Sequence, residues 1–186
     1  MFGAVPVRVA LCAALVSCAA FLSGEAAPAA AEQAAAPAHV GPSGLPLPRF
    51  VSLKSAKVNS RVGPGLNYAV EWMYMKAGLP MEIIQEWDNW RRVRDSEGAE
   101  GWINQSLLSG RRTGMIAPWQ RGKDAQIPLL SSPDAEAGSE ALLEPGIIGT
   151  IRSCDGTWCE MSFGSHTGWV SQRLIWGVYP GEKVES

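Results

Sequence analysis

The cysteine and histidine residues of this chain offer little material for catalysis. The chain has 186 residues, with four cysteines and two histidines. Cys159 and His166 could act as a thiol–imidazole pair only if their side chains came within about 3 Å of each other. Neither histidine has a nearby nucleophile in a context such as Gly-x-Ser-x-Gly, and Asp95 and Glu97 lie in a polar, turn-like run where carboxylates are usually solvated. We therefore expect no catalytic residues, no cofactor and no enzymatic activity.

Cys154 and Cys159 flank the dipeptide Asp155-Gly156, which is typical of a hairpin turn. Cysteines on opposite arms of a hairpin can reach disulfide geometry, and an oxidising compartment would keep them bridged. Free thiols and a metal or redox pair are the alternatives. Two cysteines with His166 as the nearest imidazole make a poor zinc site, and a redox pair usually has two intervening residues, not four. We predict a Cys154–Cys159 disulfide and no metal site.

The first 31 residues have the pattern of an export signal. Arg8 is the only charged residue before Gly24, and residues 9–22 are almost continuously apolar, which is short for a membrane span. We predict cleavage between residues 27 and 32, a periplasmic or secreted protein, and no transmembrane segment. The alternative is a lipoprotein box ending at Cys18, which would give a lipid anchor there. The apolar residues that follow Cys18 argue against that alternative.

The rest of the chain reads as a tether followed by short strands. Residues 32–48 are rich in Ala, Pro and Gly and predict a disordered tether. Beyond them, apolar residues recur at every second position, as in Val70, Trp72 and Tyr74, and the runs are separated by turns. Short strands at this spacing indicate an all-β barrel or sandwich.

The strand pattern occurs twice. "AGLPMEIIQEWDNWRRV" from Ala77 matches "PGIIGTIRSCDGTWCEM" from Pro145, and "EGWINQSLL" matches "TGWVSQRLI" further along each copy. A period of about 68 residues is too long for a solenoid unit. It predicts two small barrels, at residues 49–111 and 125–186, joined by a linker at residues 112–124.

The first copy resembles the bacterial SH3-like domain family. "VNSRVGPGLNYAV", a glycine turn, "NWRRV" and "EGWINQSLL" follow one another in that family's order, whereas the second copy keeps only the later half and is degenerate. The exported tandem layout is similar to that of periplasmic proteobacterial members of the family. The resemblance implies SH3-like β-barrels that act as adaptor or targeting modules for cell-wall material or peptides and are not catalysts.

The loop "NSRVGPGLNY" is better explained as barrel architecture than as a phosphate cradle. Tyr68 stands where a dinucleotide fingerprint has its third glycine, and the proline removes a backbone N–H that an anion would need. Gly63 and Gly65 are expected to permit positive φ. Since the resemblance implies that this loop borders a groove, Arg61, Asn67 and Tyr68 are candidate ligand-binding residues.

Four tryptophans, Trp90, Trp102, Trp158 and Trp169, occupy matching positions in the two copies, which indicates a structural role. Trp87 has no counterpart, lies at a turn, and is the best candidate for an exposed aromatic anchor.

Charge is divided between the two halves. Residues 49–123 carry 12 basic and 7 acidic side chains, and residues 124–186 carry 3 basic and 9 acidic ones. Arg91 and Arg92 are therefore candidate contacts for an anionic ligand. The alternative is that arginines of the first barrel and of the linker dock onto acids such as Glu136, Glu140 and Glu144, with burial of Trp72 and Trp119.

Two functions follow from these patterns. The first is an exported, non-catalytic binding or adaptor protein of the cell envelope, whose partner is peptidoglycan or an envelope protein or peptide. The second is a structural or assembly component in which both barrels pack as a rigid unit. Nucleic acid is not an expected partner of an exported chain.

Overall fold

The structure, a computed structural model, describes residues 39–185. The predicted signal peptide, the alternative lipid anchor at Cys18 and residues 32–38 of the predicted tether lie outside the described residues. Within residues 39–185, no helix has the length and apolar character needed to cross a membrane.

The first barrel, barrel 1, is preceded by a short antiparallel hairpin of strands β1 (His39–Val40) and β2 (Pro46–Leu47). Its seven strands run in the spatial order β5-β4-β8-β7-β6-β3-β9, and all the neighbouring pairs are antiparallel. The 3₁₀ helix Gln105–Leu107 precedes the last strand. The strands are β3 (Arg49–Leu53), β4 (Val58–Arg61), β5 (Val70–Tyr74), β6 (Pro80–Trp87), β7 (Trp90–Arg94), β8 (Glu100–Asn104) and β9 (Leu108–Ser109).

The second barrel, barrel 2, repeats this arrangement in the order β12-β11-β15-β14-β13-β10-β16, with one extra strand paired to β13. Its 3₁₀ helices are Pro118–Gln120 and Gln172–Leu174. The matching strand orders confirm the predicted all-β fold and the internal repeat. The strands are β10 (Thr113–Ile116), β11 (Ile127–Leu130), β12 (Ser139–Leu143), β13 (Ile148–Asp155), β14 (Trp158–Phe163), β15 (His166–Ser171), β16 (Ile175–Trp176) and the extra strand β17 (Lys183–Val184).

Alternation along the strands separates the core from the outer face. Val93 in β7 and Ile103 in β8 are fully buried. Their neighbours along the strands, Arg92, Trp102 and Asn104, point to the other face of the sheet and are partly exposed. Period-two alternation of this kind places one side of a curled sheet in the core and leaves the other in contact with solvent. Each barrel has its own buried apolar cluster built from such inward positions.

Residues 112–124 do not form the linker that the sequence predicts. Strand β10 lies within them and pairs with both β13 and β16, so barrel 2 begins at Thr113. The strand is short and contains Gly114, which gives it no recognisable alternation. Glycine is needed there because a Cβ atom would collide with the side chains of Ile175 and Met161.

The part of the predicted tether that the structure describes is also ordered. Strands β1 and β2 form a hairpin, and Leu47 is buried in the core of barrel 1. Ser43 in the hairpin turn donates hydrogen bonds from its backbone N–H and its hydroxyl to Glu86 of β6, at 2.9 and 2.8 Å. The Ala/Pro/Gly composition does not predict this hairpin, because the contacts that hold it are made with β6, which is distant in the sequence.

The two barrels pack against each other through aromatic side chains. Phe50 of β3 lies 5.1 Å from the ring of Trp176 and 4.8 Å from that of Tyr179, measured between ring centroids. Trp176 donates a hydrogen bond to the carbonyl of Pro80 at 3.2 Å, and the Tyr179 hydroxyl donates one to Glu82 at 2.9 Å. Burial, reinforced by the Glu82 carboxylate, raises the pKa of Tyr179, so the hydroxyl keeps the proton that it donates.

The contact between barrels therefore differs from the charge-based docking that the sequence suggests. Trp72 and Trp119 are exposed. Within residues 39–185 the single ion pair between barrels is the exposed Arg121–Glu97 contact at 3.3 Å. Exposed pairs of this kind contribute about 0–1 kcal/mol. Buried aromatic area, not the charge difference, holds the barrels together.

Candidate ligand-binding site

The loop between β4 and β5 is fixed by its own residues. The Arg61 guanidinium donates hydrogen bonds to the carbonyls of Leu66 and Tyr68, at 3.3 and 2.6 Å. Gly63 and Gly65 are not among the glycines with positive φ, so that expectation is wrong. They are glycines because a Cβ on Gly63 would collide with the Tyr68 ring, and one on Gly65 with the Asn67 side chain.

A shallow groove of about 410 Å³ lies beside this loop on barrel 1. Two cations, two amides and four apolar side chains line it, and among residues 39–185 no carboxylate, histidine or cysteine belongs to the lining. Such a surface offers hydrogen bonds to amide groups, attraction for an anion and contact area for small apolar groups. The lining residues are Lys57, Asn59, Arg61, Leu66, Met73, Trp90, Asn104 and Leu107.

The groove continues onto the outer face of the sheet. Strand register places Arg61 opposite Trp102 and Trp102 opposite Arg92, which makes one row across three strands. The next row runs from Asn104 to Trp90 and on to Trp87. Directly opposed side chains in antiparallel strands share a face and lie close together. We call these six residues the aromatic–basic face: Arg61, Trp87, Trp90, Arg92, Trp102 and Asn104.

Two residues of this face that the sequence predicts as ligand contacts, Arg92 and Trp87, have side chains accessible to solvent. The Arg92 side chain is 43% exposed and pairs with Glu100 at 2.7 Å. Trp87 is 63% exposed at the end of the β6–β7 hairpin, as the sequence predicts. An exposed aromatic beside an accessible guanidinium suits contact with a partner.

Arg91 does not belong to the face, although the sequence suggests a ligand contact. Its side chain is buried, and its guanidinium is held by Glu86 at 3.2 Å, by Gln105 and by the carbonyls of Asp88 and Trp90. Arg91 faces inward because it alternates with the outward-facing Arg92. Its role is structural.

Glu86 is the centre of this buried network. Burial by itself disfavours its charged form, but hydrogen bonds from Ser43 and Arg49 outweigh that effect and lower the pKa of the carboxyl below its ordinary value. Arg49 approaches it at 2.6 Å and Arg91 at 3.2 Å. Glu86 therefore stays ionised while almost wholly buried.

Barrel 2 keeps the tryptophans of this face but not its cations. Trp169 and Trp158 occupy the register positions of Trp102 and Trp90. Glu160 takes the place of Arg92, and the buried Leu130 takes that of Arg61. Glu160 pairs with Arg152 of β13 at 3.8 Å, so the equivalent face of barrel 2 lacks a cation at both register positions and is less suited to the same anion.

The predicted disulfide between Cys154 and Cys159 is present and joins β13 to β14. Both cysteines are buried in the core of barrel 2. The Asp155 carboxylate closes the hairpin by accepting hydrogen bonds from the backbone N–H groups of Trp158 and Thr157, which lower the pKa of that carboxyl. Among residues 39–185, no three His, Cys, Asp or Glu side chains come together in a group that could hold a metal ion.

The structure brings Arg61, Trp87 and Arg92 to one surface, whereas Asn67 and Tyr68 lie in the bordering loop and do not line the groove. Sequence reasoning missed Lys57, Asn59, Asn104, Met73 and the outward position of Trp90 and Trp102. The signal was present in the alternation of β7 and β8, where Trp90, Arg92, Trp102 and Asn104 all fall on outward positions.

Comparison with known proteins agrees with this architecture. The chain matches the family model described as bacterial SH3 domain over residues 54–110 and again over residues 123–177, together more than half of its length. The chain belongs to the bacterial SH3 domain family. Both matches begin after the first strand of each barrel, so β3 and β10 lie outside the matched regions.

One curated relative of this bacterial SH3 domain protein comes from Bacillus subtilis (strain 168) and is named "Putative N-acetylmuramoyl-L-alanine amidase YrvJ". It is 23% identical over 124 residues, which are 64% of this chain but only 24% of the relative. The chain thus spans about a quarter of that protein's length.

Two similar solved structures are NlpC2 from Trichomonas vaginalis and an NlpC/P60 family protein from Bacillus cereus ATCC 10987. They are 14% and 9% identical, each match covers 69% of this chain, and it covers 48% and 56% of the two structures. The TM-score is 0.31 in both cases, and likeness at this level says nothing further about fold or function.

Proposed function

We propose that this bacterial SH3 domain protein is an exported, non-catalytic protein that binds the cell wall through the groove and aromatic–basic face of barrel 1. The relative YrvJ bears a name that denotes a peptidoglycan substrate, which supports an extracytoplasmic location and a cell-wall ligand. The observation that carries the proposal is the groove, whose lining is cationic, amide-bearing and apolar, with no carboxylate from the part of the chain that the structure describes.

The lining suits a short peptide that bears a free carboxylate, such as the stem peptides of peptidoglycan. The amides of Asn59 and Asn104 can hydrogen-bond with peptide groups, and Lys57 and Arg61 attract the carboxylate. Leu66 and the other apolar side chains offer contact to small aliphatic groups. The two cations and two amides of the lining are groups that bind a peptide and its carboxylate, which supports a binding role.

Co-sedimentation with purified sacculi tests this proposal. The protein is expected to pellet with sacculi and to stay in the supernatant after the sacculi are digested with a muramidase. Lys57→Glu should reduce retention by about tenfold or more, which corresponds to about 1.4 kcal/mol. Arg152→Glu, which reverses an exposed cation of barrel 2, should leave retention unchanged. No retention of the unaltered protein by sacculi would contradict the proposal.

A structural role in an envelope complex is the second candidate, and the aromatic contact between the barrels favours it. Phe50, Trp176 and Tyr179 fix one barrel on the other, as a rigid assembly component requires. This candidate predicts that defined envelope proteins co-purify with the chain after muramidase digestion. Retention by sacculi alone would favour the binding protein instead.

A further inference from the structure

Strand β5 is a free edge with apolar residues on both faces. It ends the strand order of barrel 1, and among residues 39–185 it pairs with β4 alone. Val70, Trp72, Met73 and Met75 are 44%, 60%, 50% and 61% exposed. A protein usually covers or charges such an edge, because its unpaired backbone groups and apolar side chains attract another strand.

Strand β12 is the corresponding free edge of barrel 2. It ends the other strand order, pairs with β11 among the described residues, and has the same length of five residues. Register places Ala141 and Ser139 where β5 has Trp72 and Val70, so this edge is less apolar. It still exposes Leu142, at 60%.

The two edges carry opposite charge. Glu140 lies on β12 and Glu144 follows it directly, and neither takes part in an ion pair among residues 39–185. Two lysines lie near the end of β5. Lys57 precedes Val58, which pairs with Tyr74, the last residue of β5, and Lys76 lies two residues beyond Tyr74. Glu71 is the only acid on β5 itself.

We propose that β5 of one copy of this chain pairs with β12 of a second copy, which continues the sheet of barrel 1 into that of the neighbouring barrel 2. Backbone hydrogen bonds between the two free edges provide affinity, as in strand addition generally. The apolar side chains of β5 cover the exposed Leu142, while the lysines near β5 meet Glu140 and Glu144. The charge complementarity selects β12, not a second β5, as the occupant.

The contact is directional because its two sides differ. Each copy presents one β5 edge and one β12 edge, and neither strand contributes to the Phe50–Trp176–Tyr179 contact between barrels. A head-to-tail contact of this kind produces either a closed ring or an open chain of copies. The β5 edge borders the groove, whose lining includes Met73 of β5 and the nearby Lys57. Trp72, Glu140 and Leu142 do not line the groove, so variants at these positions test the association separately from cell-wall binding.

The experiment uses two variants that each block one edge. Trp72→Asp puts a carboxylate on the β5 edge. Glu140→Lys with Leu142→Lys reverses the charge of the β12 edge. All three positions are exposed, so circular dichroism and the unfolding midpoint should match those of the unaltered protein. Masses are measured by sedimentation equilibrium at protein concentrations up to about 1 mM, where weak contacts are populated.

The unaltered protein should show a mass that rises with concentration. Each variant alone should sediment as a monomer, because one of the two required edges is blocked. An equimolar mixture should form a heterodimer of twice the monomer mass, since the first variant keeps β12 and the second keeps β5. Should Trp72→Asp fail to fold, Val70→Asp blocks the same edge.

Two outcomes would overturn the proposal. The first is a monomeric mass for the unaltered protein at every concentration. The second is self-association of the β12 variant, which would show that β5 pairs with a second β5 or that another surface is used. Retention of the Trp72→Asp variant by sacculi reports on the groove separately, because Trp72 is not among its lining residues.

Discussion

Glu86 and Arg91 face each other across the β6–β7 hairpin of barrel 1 at the position where Cys154 and Cys159 face each other in barrel 2. The two copies thus hold one cross-strand position by different chemistry. Barrel 1 uses a buried ion pair, with the two side chains 3.2 Å apart, and barrel 2 uses a covalent bond.

Replacing Arg91 should be far more damaging than replacing its neighbour Arg92. Arg91→Met removes a partner of the buried Glu86 carboxylate, and loss of one partner of a buried pair costs about 3–5 kcal/mol. Because Arg49 stays in place, we expect the lower end of that range. Arg92→Met removes an exposed pair with Glu100 and should cost about 0–1 kcal/mol. Urea denaturation measures both, and equal losses for the two variants would contradict the assignment.

Acid should weaken barrel 1 through Glu86. The pKa of this carboxyl is lower in the folded protein than its ordinary value of 4.5, so near and below that pH the unfolded chain binds more protons than the folded one. The stabilisation is present above pH 4.5 and is lost as the pH falls through the folded pKa. In Glu86→Gln the stability should be lower at neutral pH and should depend less on pH in this range. Urea midpoints from pH 7 to pH 3 test this, and parallel pH profiles would argue against it.

Reduction should weaken barrel 2 modestly. The loop closed by Cys154 and Cys159 has a sequence separation of 5, and the loop-entropy model gives about 2 kcal/mol for a loop of that size. Cys154→Ser with Cys159→Ser should show a similar loss, together with the cost of two hydroxyl groups in the core. Denaturation with and without a reductant provides the measurement. The double variant should not respond to the reductant, and a response from it would point to another target.

The contact between the barrels should withstand salt. An exposed ion pair is screened at a Debye length of about 8 Å, whereas burial of Trp176 against Phe50 is not weakened by salt. Small-angle scattering should therefore give the same radius of gyration at low and high salt. Trp176→Ala should cost about 3–5 kcal/mol and extend the particle, while the exposed Trp119→Ala should do neither. Expansion of the unaltered protein at high salt would contradict an aromatic contact.

Much of the fold could be predicted because strands such as β7 and β8 carry period-two alternation and the hairpins between strands carry turn residues. The disulfide followed from two cysteines on either side of a short turn. Strand β10 could not be predicted, since Thr113–Ile116 is buried throughout and has no alternation to reveal it. The hairpin of β1 and β2 depends on contacts with Glu86, which is distant in the sequence, so the local composition could not predict it.

The candidate site was only partly predictable for a related reason. Charge alone groups Arg91 with Arg92, although the repeat aligns Arg91 with Cys159 and Glu86 with Cys154. That alignment places both charged residues on an inward, cross-linked position. The groove that Asn59, Asn104 and Lys57 line forms only after four strands, β4, β5, β7 and β8, and a 3₁₀ helix are assembled, so no single stretch of sequence contains its pattern.

The three residues between β9 and β10 decide how the chain can be divided. Strand β9 ends at Ser109 and β10 begins at Thr113, so a cut that leaves both sheets whole must fall at residues 110–112. A fragment that starts at residue 123, where the family match resumes, lacks the strand between β13 and β16 and should not fold. Even the correct cut strips Phe50 of its aromatic partners. The repeat seen in the sequence therefore does not mark two separate surfaces, because each barrel covers an aromatic patch of the other.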